Sequence, residues 1–142
     1  MEKEKSMERF RNDLYESNVV SEYLGEFVKG ESFSYLRRAV EHAITDDYLE
    51  FDVALEAVTA LEVIAAIKGN GYPSFPLFED LDEEELTSKY ESKISNYLMS
   101  LCEDALAILK RDEDSEVFEV FDQQGEFDEW MDLLEDLEER IF

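Results

Sequence analysis

Cysteine, histidine and tryptophan each occur once among the 142 residues, and proline twice. A single thiol, Cys102, cannot close an internal disulfide, so the fold must be held by its core and not by covalent staples. Its neighbours Leu98, Leu101, Ala105 and Leu106 predict a buried, inert thiol that suits a reducing compartment. No apolar segment follows the charged start Met1-Glu2-Lys3-Glu4-Lys5, so there is no secretory signal to read and the expected location is cytoplasmic. The longest apolar stretch, residues 53–67, is interrupted by Glu56, Thr59 and Glu62 and falls short of the roughly 20 residues of a membrane span. Base is scarce as well. Only 13 Lys and Arg stand against 38 Asp and Glu, a formal net charge of −25. Such a surface repels phosphate backbones and anionic bilayers, which argues against direct nucleic-acid or membrane binding.

What is present is enough to fold. Hydrophobic residues make up 44% of the chain and aromatics 13%, whereas charge-driven disorder also requires low hydrophobicity. The length suits one acidic helical domain, 1–142, with residues 1–14 set apart as a frayed or separate N-terminal helix. Apolar residues recur at helical spacing and no run has a period of two. The expected fold is an all-α, single-domain bundle of about five to six helices around a central apolar helix at residues 52–68.

Local signals place the elements. Ser17 or Asn18 caps a helix that runs through Tyr23, Leu24, Phe27 and Val28 to a stop at Gly30. A second starts near Ser32 or Ser34 and ends near Asp46, with Phe33, Leu36, Val40, Ala43 and Ile44 on one face. The central helix is capped by Asp52 and stopped by Gly69; its stripe of Glu56, Thr59 and Glu62 is narrow, so neighbours should enclose the rest. Residues 70–76, which hold both prolines, read as a surface loop, and residues 79–85 supply six acids and no base. A long helix is expected over residues 86–109, with Tyr90, Ile94, Tyr97, Leu98, Leu101, Ala105 and Leu109 inward. Asp112-Glu113-Asp114 breaks it, Ser115 caps a short helix with Val117, Phe118 and Phe121, and Gly125 separates that from the last helix. There Phe127, Trp130, Met131, Leu134, Leu137 and Ile141 form the inward stripe.

Three stretches carry a family likeness. Tyr15-Glu16-Ser17-Asn18 precedes Glu22-Tyr23-Leu24-Gly25-Glu26-Phe27; Tyr48-Leu49-Glu50 precedes the alanine-rich Ala60-Leu61-Glu62-Val63-Ile64-Ala65-Ala66; and Ser115-Glu116-Val117-Phe118-Glu119 precedes a helix bearing Trp130. From about Tyr15 onward this order resembles the DUF (domain of unknown function) 4259 family of bacteria. The glycines and tryptophan that usually precede the family's first helix are replaced here by Phe10-Arg11-Asn12-Asp13-Leu14. The resemblance implies a helical fold and no particular activity.

Catalytic and metal-binding patterns are missing. His42 has no second histidine or cysteine to form a transition-metal site, and Ala39 stands where a Glu-x-x-His pair needs its acid. Asp112-x-Asp114-x-Glu116 copies the start of a calcium loop, but Val117 replaces the turn glycine and Gln123 the bidentate glutamate. There is no Gly-rich phosphate loop and no Gly-x-Ser-x-Gly elbow. No cofactor is expected, and the chain reads as non-catalytic. Among the carboxylates, Glu62 stands out for lying on the most apolar helix, although a polar stripe with Glu56 and Thr59 accounts for it.

Acidity is concentrated at one end. Residues 112–142 hold 14 acids and one base, Arg140, about half of the whole excess in under a quarter of the chain. A net charge this large exceeds what solubility requires and would steer a basic protein surface toward it. The expected partner-binding residues are Asp112, Glu113, Asp114, Glu116, Glu119, Asp122, Glu126, Asp128, Glu129, Asp132, Glu135 and Asp136. The leading expectation is an immunity protein or antitoxin that covers a basic, nuclease-like toxin. Alternatives are a nucleic-acid mimic that inhibits a DNA-binding or defence protein, and a structural or regulatory module whose acidity is incidental or an adaptation to high salt.

Overall fold

The computed structural model describes the chain except Met1, Glu31, Asp46 and residues 77–80, and gives only the backbone of Glu2, Lys3 and Glu4. Among the described residues the fold is all-α. Eight α-helices follow in order: α1 (Glu2–Tyr15), α2 (Asn18–Gly30), α3 (Phe33–Thr45), α4 (Phe51–Ile67), α5 (Glu83–Tyr90), α6 (Asn96–Leu109), α7 (Glu116–Gln123) and α8 (Phe127–Ile141). No described helix is long and apolar enough to cross a membrane.

α4 is the centre. Every residue from Val53 to Ile67 is buried except Glu56, as expected of a helix that is apolar nearly all round. Its alanines at 54, 57, 60, 65 and 66 let neighbouring helices approach closely, and α2, α3, α5, α6, α7 and α8 all pack against it. α1 lies outside this ring against α8 and α2, with Phe10, Leu14 and Tyr15 buried.

Two of the three foreseen glycine stops act through a left-handed residue, whereas Gly30 is still helical as the last residue of α2. Gly69 has φ +85° and Gly125 φ +72°. After α4, Asn70 N donates to Ala65 O and Gly69 N to Ala66 O; after α7, Glu126 N donates to Phe121 O and Gly125 N to Asp122 O. Both are complete Schellman motifs, which satisfy the carbonyls a helix end would otherwise leave open.

The expected five to six helices are too few. The single helix foreseen over residues 86–109 is two, because Glu91–Lys93 tightens into a 3₁₀ turn and Ile94 and Ser95 are extended. Ser95 then caps α6 by accepting a hydrogen bond from Leu98 N at 3.1 Å. The break rotates α6, so Tyr97, foreseen as inward, is 66% exposed. α4 also starts before its foreseen cap: Glu50 is the N-cap and Asp52 lies in the first turn. The loop after α4 is not wholly superficial, since Phe75 is buried and meets Tyr15 edge-on at 5.0 Å. Glu79 and Asp80 of the acidic run, and Asp46 at the foreseen end of α3, lie outside the described residues.

Candidate functional site

The twelve carboxylates foreseen as a partner surface have different tasks. Glu116 and Glu119 belong to a clasp between the segment before α4 and the start of α7. Leu49 N donates to Asp114 O at 2.9 Å and Glu116 N to Leu49 O at 2.8 Å, an isolated parallel bridge between Leu49 and Ser115. Ser115 Oγ caps α7 by accepting from Phe118 N. Glu50 makes no side-chain cap at α4. Glu116 supplies one instead, accepting from Phe51 N at 2.7 Å across 65 residues of sequence. The Tyr48 hydroxyl donates to Glu119 at 2.7 Å, and this bond, with the surrounding acids, pushes the phenol up to about 12. The Arg111 guanidinium holds the turn by donating to Asp47 O and Asp114 O, where Asp114 has φ 51°. Asp114 thus contributes a carbonyl to the fold, while its carboxylate stays in an exposed turn.

Asp136 belongs to a buried network that local sequence reading does not foresee. Glu62 on α4 is fully enclosed. Arg140 on α8 grips both its oxygens, at 2.7 and 3.0 Å, and the Tyr15 hydroxyl of α1 donates to Oε2. Arg140 Nε reaches Asp136 at 3.0 Å, and Arg11 Nη2 reaches the same oxygen at 2.9 Å. Tyr72 lies under the Arg11 guanidinium at 4.6 Å. Two acids and two bases cancel, which is how a charge in a core is tolerated. Burial, then the charge and hydrogen bond of Glu62, raises the Tyr15 phenol well above its ordinary range. Burial opposes the Arg140 charge, but the hydrogen bonds and charges of Glu62 and the charge of Asp136 outweigh it, and its pKa is raised.

The stripe foreseen on α4 therefore holds three different environments. Glu56 is half-buried and its carboxyl is raised by burial; the Thr59 hydroxyl donates to Leu55 O at 2.7 Å; Glu62 is paired. Both oxygens of Glu62 are engaged, so this carboxylate is not free to meet a substrate. Its effect is to tie α1, α4 and α8 together.

The outer side of α8 is where acids gather over open space. Asp128, Glu129, Asp132 and Glu135 line a groove of about 690 Å³ with Met131 and, across it, Ser6 and Met7 of α1. Asp128, Asp132 and Glu135 fall at i, i+4 and i+7, one face of the helix. Trp130, Leu133, Leu134, Leu137 and Ile141 are buried on the other. Trp130 fixes the helix, its indole N–H donating to Leu109 O at 3.0 Å. Phe127 and Met131, foreseen in the inward stripe, are only half-buried. Ser6 Oγ donates to Glu129 Oε1 at 3.4 Å, while Glu129 Oε2 is buried with no hydrogen-bond partner among the described residues. The remaining foreseen acids, Asp112, Glu113, Asp122 and Glu126, lie in the turn before α7 or at its end, and all but the half-buried Glu126 are exposed. Among the described residues no three His, Cys, Asp or Glu side chains group as a metal site. Cys102 is buried, and burial pushes its thiol up to about 12.

Of the three stretches that carry the family likeness, the second and third meet in the clasp through Tyr48-Leu49-Glu50 and Ser115-Glu116-x-x-Glu119, and Tyr15 of the first meets Glu62 of the second. The family model for DUF4259, a domain of unknown function, matches residues 12–132. That span includes the whole clasp and both Tyr15 and Glu62, and stops before Asp136 and Arg140. No curated protein and no solved structure matches the chain.

Proposed function

We propose, from the premise that the chain belongs to the DUF4259 family, that it is a non-catalytic binding protein that docks a basic protein partner on the outer face of α8. The observation that carries this reading is the groove: Asp128, Asp132 and Glu135 share one face with Glu129 beside them, opposite the buried stripe. Carboxylates set over a cleft focus their field into it, which accelerates encounter with a cationic surface and rejects anionic ones. Of basic partners, a nuclease-like toxin fits best, since its phosphate-binding cleft is cationic and neutralising it demands fast association. In this reading the protein is an immunity protein or antitoxin.

The test is retention of partners on the immobilised protein at low and high ionic strength, beside a variant carrying Asp128→Lys, Asp132→Lys and Glu135→Lys. The expected result is a basic protein held at low salt, released near 1 M salt where the screening length falls to about 3 Å, and not held by the variant. Wild-type protein should also suppress the activity of the captured partner. Absence of any basic partner at low salt, or equal retention by a folded variant, overturns the proposal.

A further inference from the structure

A second depression adjoins the carboxylate groove, and its chemistry is the opposite. Phe10 and Leu14 of α1, Phe51 and Leu55 of α4 and Phe121 of α7 line a pit of about 210 Å³. The Phe121 ring meets Phe10 edge-on at 5.1 Å and Phe51 at 5.6 Å, so the walls are set by packing and not by loose side chains. Asp13, Ser17, Gln124 and Glu126 complete the lining. The volume is below the roughly 300 Å³ at which small-molecule pockets begin, so it suits one apolar side chain and not a cofactor.

The two depressions lie along the same helix. Ser6 and Met7 face the groove, while Phe10, Asp13 and Leu14 face the pit one to two turns further on; at the start of α8, Glu126 lines the pit and Asp128 the groove. Ser6 and Leu14 are eight residues apart in α1, about 12 Å along its axis. Two turns of a second helix span about 11 Å. A helix laid along this trough can therefore place an apolar side chain in the pit and, two turns away, a lysine or arginine among the carboxylates.

Resting on the reading of the chain as a binder of basic partners, we infer that the trough takes a basic amphipathic helix of the partner, anchored by one phenylalanine- or leucine-sized side chain in the pit between Phe10, Leu55 and Phe121. Charge complementarity selects this occupant: acids stand on both sides of the pit and along the groove, and the chain carries −25 overall, which disfavours a second copy of itself. Division of labour follows the usual pattern, with charge setting encounter and register and a buried apolar anchor setting residence.

The experiment measures fluorescence anisotropy with two labelled lysine-rich helical peptides that differ at one central residue, phenylalanine or alanine. The phenylalanine peptide should bind about tenfold more tightly. Gln124→Trp and Asp13→Trp, both exposed positions at the pit, should remove that preference by covering it. Asp128→Lys with Glu135→Lys should weaken both peptides while preserving it. Equal, salt-sensitive binding of the two peptides overturns the anchor pit and leaves the basic-partner reading standing. A preference that survives both tryptophan variants likewise overturns it. Binding of neither peptide at low ionic strength overturns both readings.

Discussion

Glu62 and Glu135 are chemically identical and energetically unlike. Glu62 has no exposed side-chain surface and is held by a guanidinium that is itself 16% exposed. Removing one partner of such a pair leaves the other charge without compensation, which costs about 3 kcal/mol or more. Glu62→Gln should lower the unfolding free energy by about that amount, and adding Arg140→Gln should cost far less than it does alone, because the two residues act as a unit. Glu135→Gln, at an exposed position, should change stability by no more than about 0.5 kcal/mol. Urea titrations of the wild type and the four variants check this, and equal midpoints for Glu62→Gln and wild type would contradict it. The sequence makes Glu62 conspicuous, since an acid on the most apolar helix is conspicuous anywhere. Its partners were illegible, because Tyr15 and Arg140 lie 47 and 78 residues away and no periodicity relates residues at that distance.

At the scale of the element, boundaries written in side-chain chemistry were readable and those set by the rest of the fold were not. Gly69 and Gly125 end helices through backbone geometry that glycine adopts without strain, and Ser115 caps α7 through its own hydroxyl. By contrast α4 is capped by Glu116, a residue remote in sequence, so its start could be located only to within a residue or two. The break before α6 had a signal, the adjacent cap formers Ser95 and Asn96, which the continuing apolar spacing of Ile94, Leu98 and Leu101 outweighed. Ser95→Ala should cost about 1 kcal/mol, the usual value of such a cap, and speed amide exchange in the first turn of α6. An exchange rate identical to wild type at Leu98 would show that the cap contributes nothing. Phe75 shows the same limit from another side, because a loop rich in proline and glycine gives no period from which to read that one of its residues is a core anchor.

For the molecule as a whole, the excess of negative charge was evident from composition, and its division of labour was not. Glu116 serves the start of α4, Asp136 holds two guanidinium groups and the exposed Glu119 accepts from Tyr48, while the groove face of α8 is the acidic surface proposed for a partner. A formal charge of −25 on 142 residues repels itself. Added salt should therefore raise the melting temperature progressively as the screening length shrinks from about 30 Å at 0.01 M to about 8 Å at 0.15 M. Scanning calorimetry across that range checks it; a melting temperature that falls would mean attractive pairs outweigh the repulsion. The Glu62–Arg140 pair also sets an order of events while the chain is being made. A ribosome delivers α4 well before it reaches position 140, and nascent chains begin to fold from the N-terminal side. Until those 78 further residues are added, the carboxylate on the most apolar helix lacks the guanidinium that grips both its oxygens, which disfavours its burial. The middle of the bundle should therefore close over Glu62 only once α8 has arrived, although α4 itself is made much earlier.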